Sequence, residues 1–101
     1  MQYEWDERKR EANLRKHGFD FFDAPSVLHG VTLTVADDRE DYGEERFITF
    51  GLLRNIAVAV AHTEQPGAIR IISMRKATRY EEENYYAQVG NRLETDSENE
   101  G

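Results

Sequence analysis

The sequence contains no cysteine, so neither disulfides nor thiolate metal ligands can contribute to the fold. Long apolar runs are also missing. The longest, Ile56 to Ala61, is six residues, far short of the ~20 that span a bilayer. The opening stretch MQYEWDERKR has no apolar signal-peptide core, and the expectation is a cytoplasmic protein with no membrane partner. The three histidines, His17, His29 and His62, are scattered without metal-ligand spacing. No glycine loop of the phosphate-cradling kind occurs, and there are no internal repeats. Metals and cofactors are therefore not expected. Positive charge is scarce as well: 13 Lys and Arg stand against 20 Asp and Glu, for a net charge of −7. That balance argues at first against a nucleic-acid binder, whose phosphate contacts need cations.

The distribution of charge softens this objection. The last eight residues, ETDSENEG, carry four acids and no base, and without them the net charge rises from −7 to −3. A second acidic block, Asp37-Asp38-Arg39-Glu40-Asp41, reads as a loop. The bases gather in two places, Arg8 to His17 and Arg70 to Arg79. With 101 residues, 39% of them hydrophobic, one domain is expected over residues 1–90. Residues 91–101 have almost nothing apolar to bury and read as a disordered acidic tail.

Along the chain, Tyr3-Glu4-Trp5 alternates as a short strand. Asp6 is an N-cap for a surface helix from Glu7 to His17, which Gly18 stops. A second helix begins after Asp20, is kept short or kinked by Pro25, and ends at His29-Gly30. Val31–Val35, Arg46–Leu53, Ile56–Thr63 and Ala68–Arg75 read as strands, with Arg54-Asn55 as a tight turn between the second and third. A last helix runs from Thr78 or Arg79 to Val89, with Thr78 as N-cap, acids in its first turn and Gly90 as its stop. The order is β-α-α-β-β-β-β-α, an α+β class. The short connections imply an antiparallel meander, with helices covering one face of the sheet and the other face partly open.

The stretch from Val58 to Tyr86 carries the chemistry. Arg70, Arg75, Lys76 and Arg79 fall within ten residues of an otherwise acidic chain, and such a cluster points to an anion, phosphate first. Strict alternation would place Arg70, Ile72, Met74 and Lys76 on one face, with Ile69, Ile71, Ser73 and Arg75 on the other. The side taken by His62 depends on the register of the turn at Glu64-Gln65-Pro66-Gly67, because a one-residue slip inverts it. If Thr63 pairs with Ala68, His62 shares the face of Ser73 and Arg75; with a longer loop it faces Arg70. An imidazole, a hydroxyl and guanidiniums at one sheet end suit metal-free RNA cleavage. The 2′-OH must lose a proton, the leaving 5′-oxygen must gain one, and arginine can hold the developing phosphorane charge.

Structural readings stand beside these. His62 can be a partly buried strand residue, Arg70 can snorkel off an edge, and Ser73 can be a small sheet residue. Arg75 and Arg79 can pair with Glu81 to Glu83 or with the acids near position 40. Tyr80, Tyr85 and Tyr86 suit packing on the sheet better than stacking on bases. Lys16-His17-Gly18 complements a helix C-terminus, and Lys16 can also touch an RNA backbone.

Several separated blocks resemble the BrnT family: Tyr3 to Lys9, Asn13 to Gly18, Phe22-Asp23-Ala24, Glu45-Arg46-Phe47, Gly51-Leu52, His62-Thr63-Glu64 and Ile69 to Arg79. They occur in order over roughly residues 3–88. The resemblance implies a RelE-like microbial-ribonuclease fold and a metal-independent endoribonuclease toxin of a type II toxin–antitoxin pair. It also implies inhibition of translation and a BrnA-like DNA-binding antitoxin, with a heterotetramer expected. Carried over by position, the candidates are His62, Arg70, Ser73, Arg75 and Arg79 as catalytic residues and Lys76 as an RNA-binding one; the reading of the residues themselves adds Lys16 and Glu64 to the RNA-binding set. Arg75, Arg79 and Arg70 would bind phosphate, His62 would move protons with Glu64 as substitute base, and Ser73 would position the phosphate. Where relatives continue with arginines, this chain has Tyr80-Glu81-Glu82-Glu83-Asn84, which lowers the local positive potential. The rival reading is a weak or inactive binding module that acts by binding an antitoxin and co-repressing its operon; a plain scaffold with structural ion pairs is the third. The nuclease reading requires the guanidiniums to share one accessible hollow, and it collapses if they are scattered over opposite sides of the molecule or each is locked to a carboxylate.

Overall fold

In the computed structural model, residues 1–100 are described along the backbone, and beyond Gly90 only Arg92 is described at its side chain. The elements are β1 (Gln2–Glu4), α1 (Glu7–His17), a 3-10 turn (Phe21–Asp23), α2 (Ala24–Leu28), β2 (Leu33–Ala36), β3 (Phe47–Leu53), β4 (Ile56–Gln65), β5 (Ala68–Lys76) and α3 (Arg79–Glu100). The class is α+β, as expected. Local chemistry explains the early boundaries. The Asp6 carboxylate accepts from the N–H groups of Arg8 (2.8 Å) and Lys9 (3.3 Å). Gly18 ends α1 in the left-handed region at φ 76°, which costs a glycine little. Pro25 sits in the first turn of α2, where its missing N–H is harmless, and α2 is only five residues long. No described helix is long and apolar enough to cross a membrane.

The strand order is β1-β5-β4-β3-β2. Strands β2 to β5 form the expected antiparallel meander. Arg54 and Asn55 both have positive φ (49° and 67°), as a two-residue hairpin turn matched to strand twist demands. Two expectations are corrected. β1 runs parallel to β5, with Tyr3 beside Ile69, so the sheet is mixed; α1 and α2 carry the chain from β1 at one edge to β2 at the other, and the meander then brings β5 back beside β1. And the helices cover both faces, not one. On the first face Val58, Val60, Ile71 and Met74 pack with Phe21, Ala24 and Val27. On the second, Phe50 and Ala59 pack with Tyr85 and Val89 of α3. The physical reason lies in β4, where Ala57, Val58, Ala59 and Val60 are all buried: a strand covered on both sides reads as a continuous apolar run. α3 also continues past the expected stop at Gly90. The expected tail, residues 91–101, lies outside the described side chains apart from Arg92, whose guanidinium donates to the carbonyl of Thr32 (2.8 Å).

Two close approaches fix the helical layer on the first face. A Cβ on Gly51 would sit 2.8 Å from Val27 Cγ1, so glycine lets α2 lie directly on β3. Asn13 is buried and clasps the backbone of Met74, donating to its carbonyl (2.9 Å) and accepting from its N–H (3.1 Å). Past the end of short β1, that side of β5 has no strand neighbour, and one side-chain amide satisfies both backbone groups.

Candidate functional site

The site turns on one irregularity in β5. The turn at Pro66-Gly67 pairs Gln65 with Ala68, Thr63 with Arg70 and His62 with Ile71, but Ala61 pairs with Ser73. Ile72 is the extra residue of a β-bulge, which resets the alternation of side chains. Residues paired across the ladder share a face, so Arg70 before the bulge and Ser73 and Arg75 after it all lie on the second face. Strict alternation splits these residues; the bulge unites them.

A shallow hollow of about 30 Å³ opens there, floored by Ile48, Ala59 and Ala61 and edged by Ser73, Arg75 and Arg39. Its volume suits one phosphoryl oxygen or a water, not a nucleotide. The alanines of β4 keep the floor low, and α3 packs toward β2 and β3.

Arg75 is held firmly. Its Nη1 and Nη2 donate to the two oxygens of Glu81 (2.7 and 3.0 Å), and Nη1 also reaches the carbonyl of Lys76 (3.3 Å). Glu81 in turn accepts from the N–H of Thr78 (2.8 Å), while the Thr78 hydroxyl accepts from the N–H of Glu81 (3.2 Å). This is a reciprocal capping box at the start of α3, and Arg75 is clamped to its acid. The hydrogen bonds from Arg75 and Thr78 hold the Glu81 carboxyl down at about 2, against the penalty of its partial burial. Of the five guanidinium N–H groups, the end-on fork is taken. The Nε–H and one Nη2–H remain, side by side on the other edge, the geometry that meets two phosphate oxygens.

The other cations are arranged differently. Arg70 pairs with Glu44, which also lies near Arg46. Arg79 is 93% exposed and pairs with Glu83. Lys76 falls on the first face by register with Val58, and Lys16 lies on α1, in the helical layer of that same face. All three arginines of the sequence argument are thus paired with carboxylates, as the structural readings allow for Arg75 and Arg79; Arg70, read as snorkelling off an edge, has a carboxylate partner as well. Exposed pairs of this kind contribute about 0–1 kcal/mol and exchange readily; only the Arg75–Glu81 pair is built in.

Residues 5–81 match the family model for the ribonuclease toxin BrnT of type II toxin–antitoxin systems. The chain belongs to the BrnT family. No curated protein matches it. Membership makes it a ribonuclease toxin of a type II toxin–antitoxin system, with RNA as target and an antitoxin as partner. The BrnT match takes in β2 to β5 and ends at Glu81, the residue that clamps Arg75.

One BrnT-derived assignment meets a different place in the fold. Neither expected register of His62 is realised. It lies on the first face, 1% exposed, stacked on Phe47 with ring centroids 6.0 Å apart. Its Nε2 shares a 2.7 Å hydrogen bond with Thr49, whose hydroxyl lies 2.7 Å from that of Thr34. The sheet separates it from the hollow, so the imagined union of imidazole and guanidiniums does not form. Glu64 is also on the first face, at an open cleft of about 400 Å³ with Tyr3, His29 and Thr34. Among the described residues no three His, Asp or Glu gather as metal ligands.

Burial lowers the pKa of His62, outweighing the nearby Glu64 carboxylate, which raises it. A histidine whose folded pKa lies below its unfolded value loses stability as pH falls, because the unfolded chain binds the proton more readily. Thermal stability is therefore expected to decline as pH drops below about 6.5. In His62→Leu that part of the decline is expected to vanish in melts taken between pH 7.5 and 5. An unchanged pH slope in the variant rejects this assignment.

Two residues at the site escaped the sequence reading. Arg39 is the single base inside an acidic block, a pattern that reads as solvated loop. Ile72 carries no signal of a bulge.

Proposed function

We propose that this chain is a metal-independent endoribonuclease that arrests translation by cutting mRNA at the second-face hollow. The observation that carries the reading is the free Nε/Nη2 edge of Arg75 beside Ser73, over a floor of small side chains. A scissile phosphate resting there would place one oxygen in the hollow and two against the guanidinium edge. As the 2′-oxygen attacks phosphorus it gives its proton to solvent water, the bond to the 5′-oxygen breaks, and that oxygen takes a proton from water; charge meanwhile grows on the non-bridging oxygens. Preorganised donors aimed at that charge are the largest catalytic contribution such a site can make. The products are a 2′,3′-cyclic phosphate and a 5′-hydroxyl. Ser73 positions the phosphate, Arg70 adds a second backbone contact on the same face, and Arg79 contributes to the approach of the RNA, while Lys76, on the first face, has no part in it. A RelE-like fold, a cytoplasmic setting, and neutralisation by a BrnA-like DNA-binding antitoxin in a heterotetramer belong to the same reading.

The carboxylate partners of Arg70, Arg75 and Arg79 favour one rival, a binding module whose cationic face receives an antitoxin. Labelled single-stranded RNA incubated with the purified protein in EDTA decides between them. Cleavage to cyclic-phosphate ends supports the enzyme. Intact RNA at high protein excess, together with stoichiometric antitoxin binding, supports the module.

A further inference from the structure

We propose that Arg39 is a second phosphate-binding residue of the hollow, closing on the substrate backbone from the loop between β2 and β3 opposite Arg75. This rests on the ribonuclease reading above and adds a residue from a block that looks repulsive to RNA.

The loop is built to hold this side chain. The N–H of Asp37 donates to the carbonyl of Arg46 (2.7 Å), fastening the loop across its base. The Asp37 side chain is only 3% exposed. It accepts from Arg39 Nε (2.7 Å) and Nη2 (2.9 Å), and the Tyr42 hydroxyl lies at 3.4 Å. A buried carboxylate that grips the side edge of an arginine fixes the direction of the rest. What remains unbonded is the outer fork, both Nη1 protons and one on Nη2, on a side chain 67% exposed.

The hollow provides the second observation. Arg39 lines it together with Arg75 and Ser73, and the two guanidiniums are close enough for the charge of Arg39 to act against that of Arg75. A loop that needed only its own ion pair has no reason to bring Arg39 toward another cation. An anion between them removes the repulsion. The edges are complementary: Glu81 takes the end-on fork of Arg75 and leaves its side edge, whereas Asp37 takes the side edge of Arg39 and leaves its fork. One phosphodiester can meet both. The surrounding acids, Asp38, Glu40 and Asp41, repel nucleic acid elsewhere on the loop and confine the attraction to the hollow.

The test uses the whole protein with Arg39→Ala, Arg39→Lys and Arg54→Ala. The last removes the same charge from the β3–β4 turn, where Arg54 is exposed. Two readouts are taken: cleavage of a labelled RNA oligonucleotide in EDTA, and salt-dependent binding of its uncleavable 2′-O-methyl analogue. Arg39→Ala is expected to lower kcat/KM about 10–100-fold, the loss of one charge-assisted contact, and to reduce the slope of log K against log salt by about 0.7. Arg39→Lys is expected to fall between, and Arg54→Ala to match wild type in both. If Arg39→Ala cleaves and binds like Arg54→Ala, the proposal is overturned. If wild type binds the analogue but cleaves no RNA, and the slope still falls in Arg39→Ala, the contact stands while the nuclease reading fails. If wild type neither binds nor cleaves, both are rejected.

Discussion

Arg75→Ala is expected to reduce RNA cleavage by about 10²–10³-fold, the loss that follows removal of one donor from a preorganised oxyanion site. The same variant is expected to abolish growth arrest on induction while shifting the melting temperature by only a few degrees. The separation of the two effects follows from the geometry. Glu81 keeps its hydrogen bonds with Thr78 when Arg75 is gone, so the start of α3 is preserved. What disappears is the free guanidinium edge over the hollow. Arg75→Lys is expected to recover little, because an ammonium cannot both hold the two Glu81 oxygens and present a planar pair of donors to phosphate. Arrest and cleavage at wild-type levels in Arg75→Ala reject the assignment outright. A large fall in melting temperature would instead make Arg75 a structural member of the α3 cap.

The pH dependence adds an independent check. The Glu81 carboxyl titrates near 2 in the folded protein, from 4.5 as its ordinary value. A group shifted down in this way contributes stability that is present above its unfolded pKa and lost as pH falls through the folded one. The clamp therefore stays charged throughout the neutral and mildly acid range, and loss of stability near pH 6 belongs to His62 instead. The Glu81 contribution is lost between about 4.5 and about 2, whereas the His62 decline sets in earlier, as pH falls below about 6.5.

How much of this was readable beforehand differs by element. Asp6, Gly18, Pro25 and Thr78 marked helix ends because each satisfies or removes a specific backbone group there, and such effects need no tertiary information. The meander was readable from its short turns. The sequence reading puts α3 with the other helices on one face of the sheet, and the structure puts it on the other; the unbroken apolar run from Ala57 to Val60 carries the signal of a strand covered on both sides. The candidate site shows in composition and not in geometry. A local excess of arginine draws attention to β5, but a single bulged residue decides which of those arginines share a face. Bulges follow from strand pairing and twist, not from the residue that happens to be extra. Arg39 was hidden for a related reason: its importance comes from Asp37, which looks like one more surface acid until the fold buries it. His62 misled because histidine is the usual proton carrier, whereas here it fills a core position beside Phe47 and Thr49.

The largest expected effect on stability lies at Tyr85, whose side chain is fully buried. Its ring packs with Phe50 and Ala59 on the second face and edge-on against Tyr86 at 5.2 Å. Its hydroxyl donates to the carbonyl of Val31 (2.6 Å), just ahead of β2. Tyr85→Ala is expected to lose about 3–5 kcal/mol, the range for truncating a buried aromatic ring. For a domain of this size that corresponds to roughly 15–30 °C in melting temperature. Tyr85→Phe isolates the hydroxyl and is expected to lose about 1 kcal/mol. The consequence for function follows from chain continuity. Tyr85 anchors α3 one turn after Glu81, and Glu81 orients Arg75. Loosening the helix therefore frees the guanidinium that the hollow needs in one fixed direction. Tyr85→Ala is accordingly expected to lose cleavage even at temperatures where circular dichroism still reports folded protein, while Tyr85→Phe retains it. Full activity in folded Tyr85→Ala would separate the second-face helix from the site and leave Arg75 positioned by the strand alone.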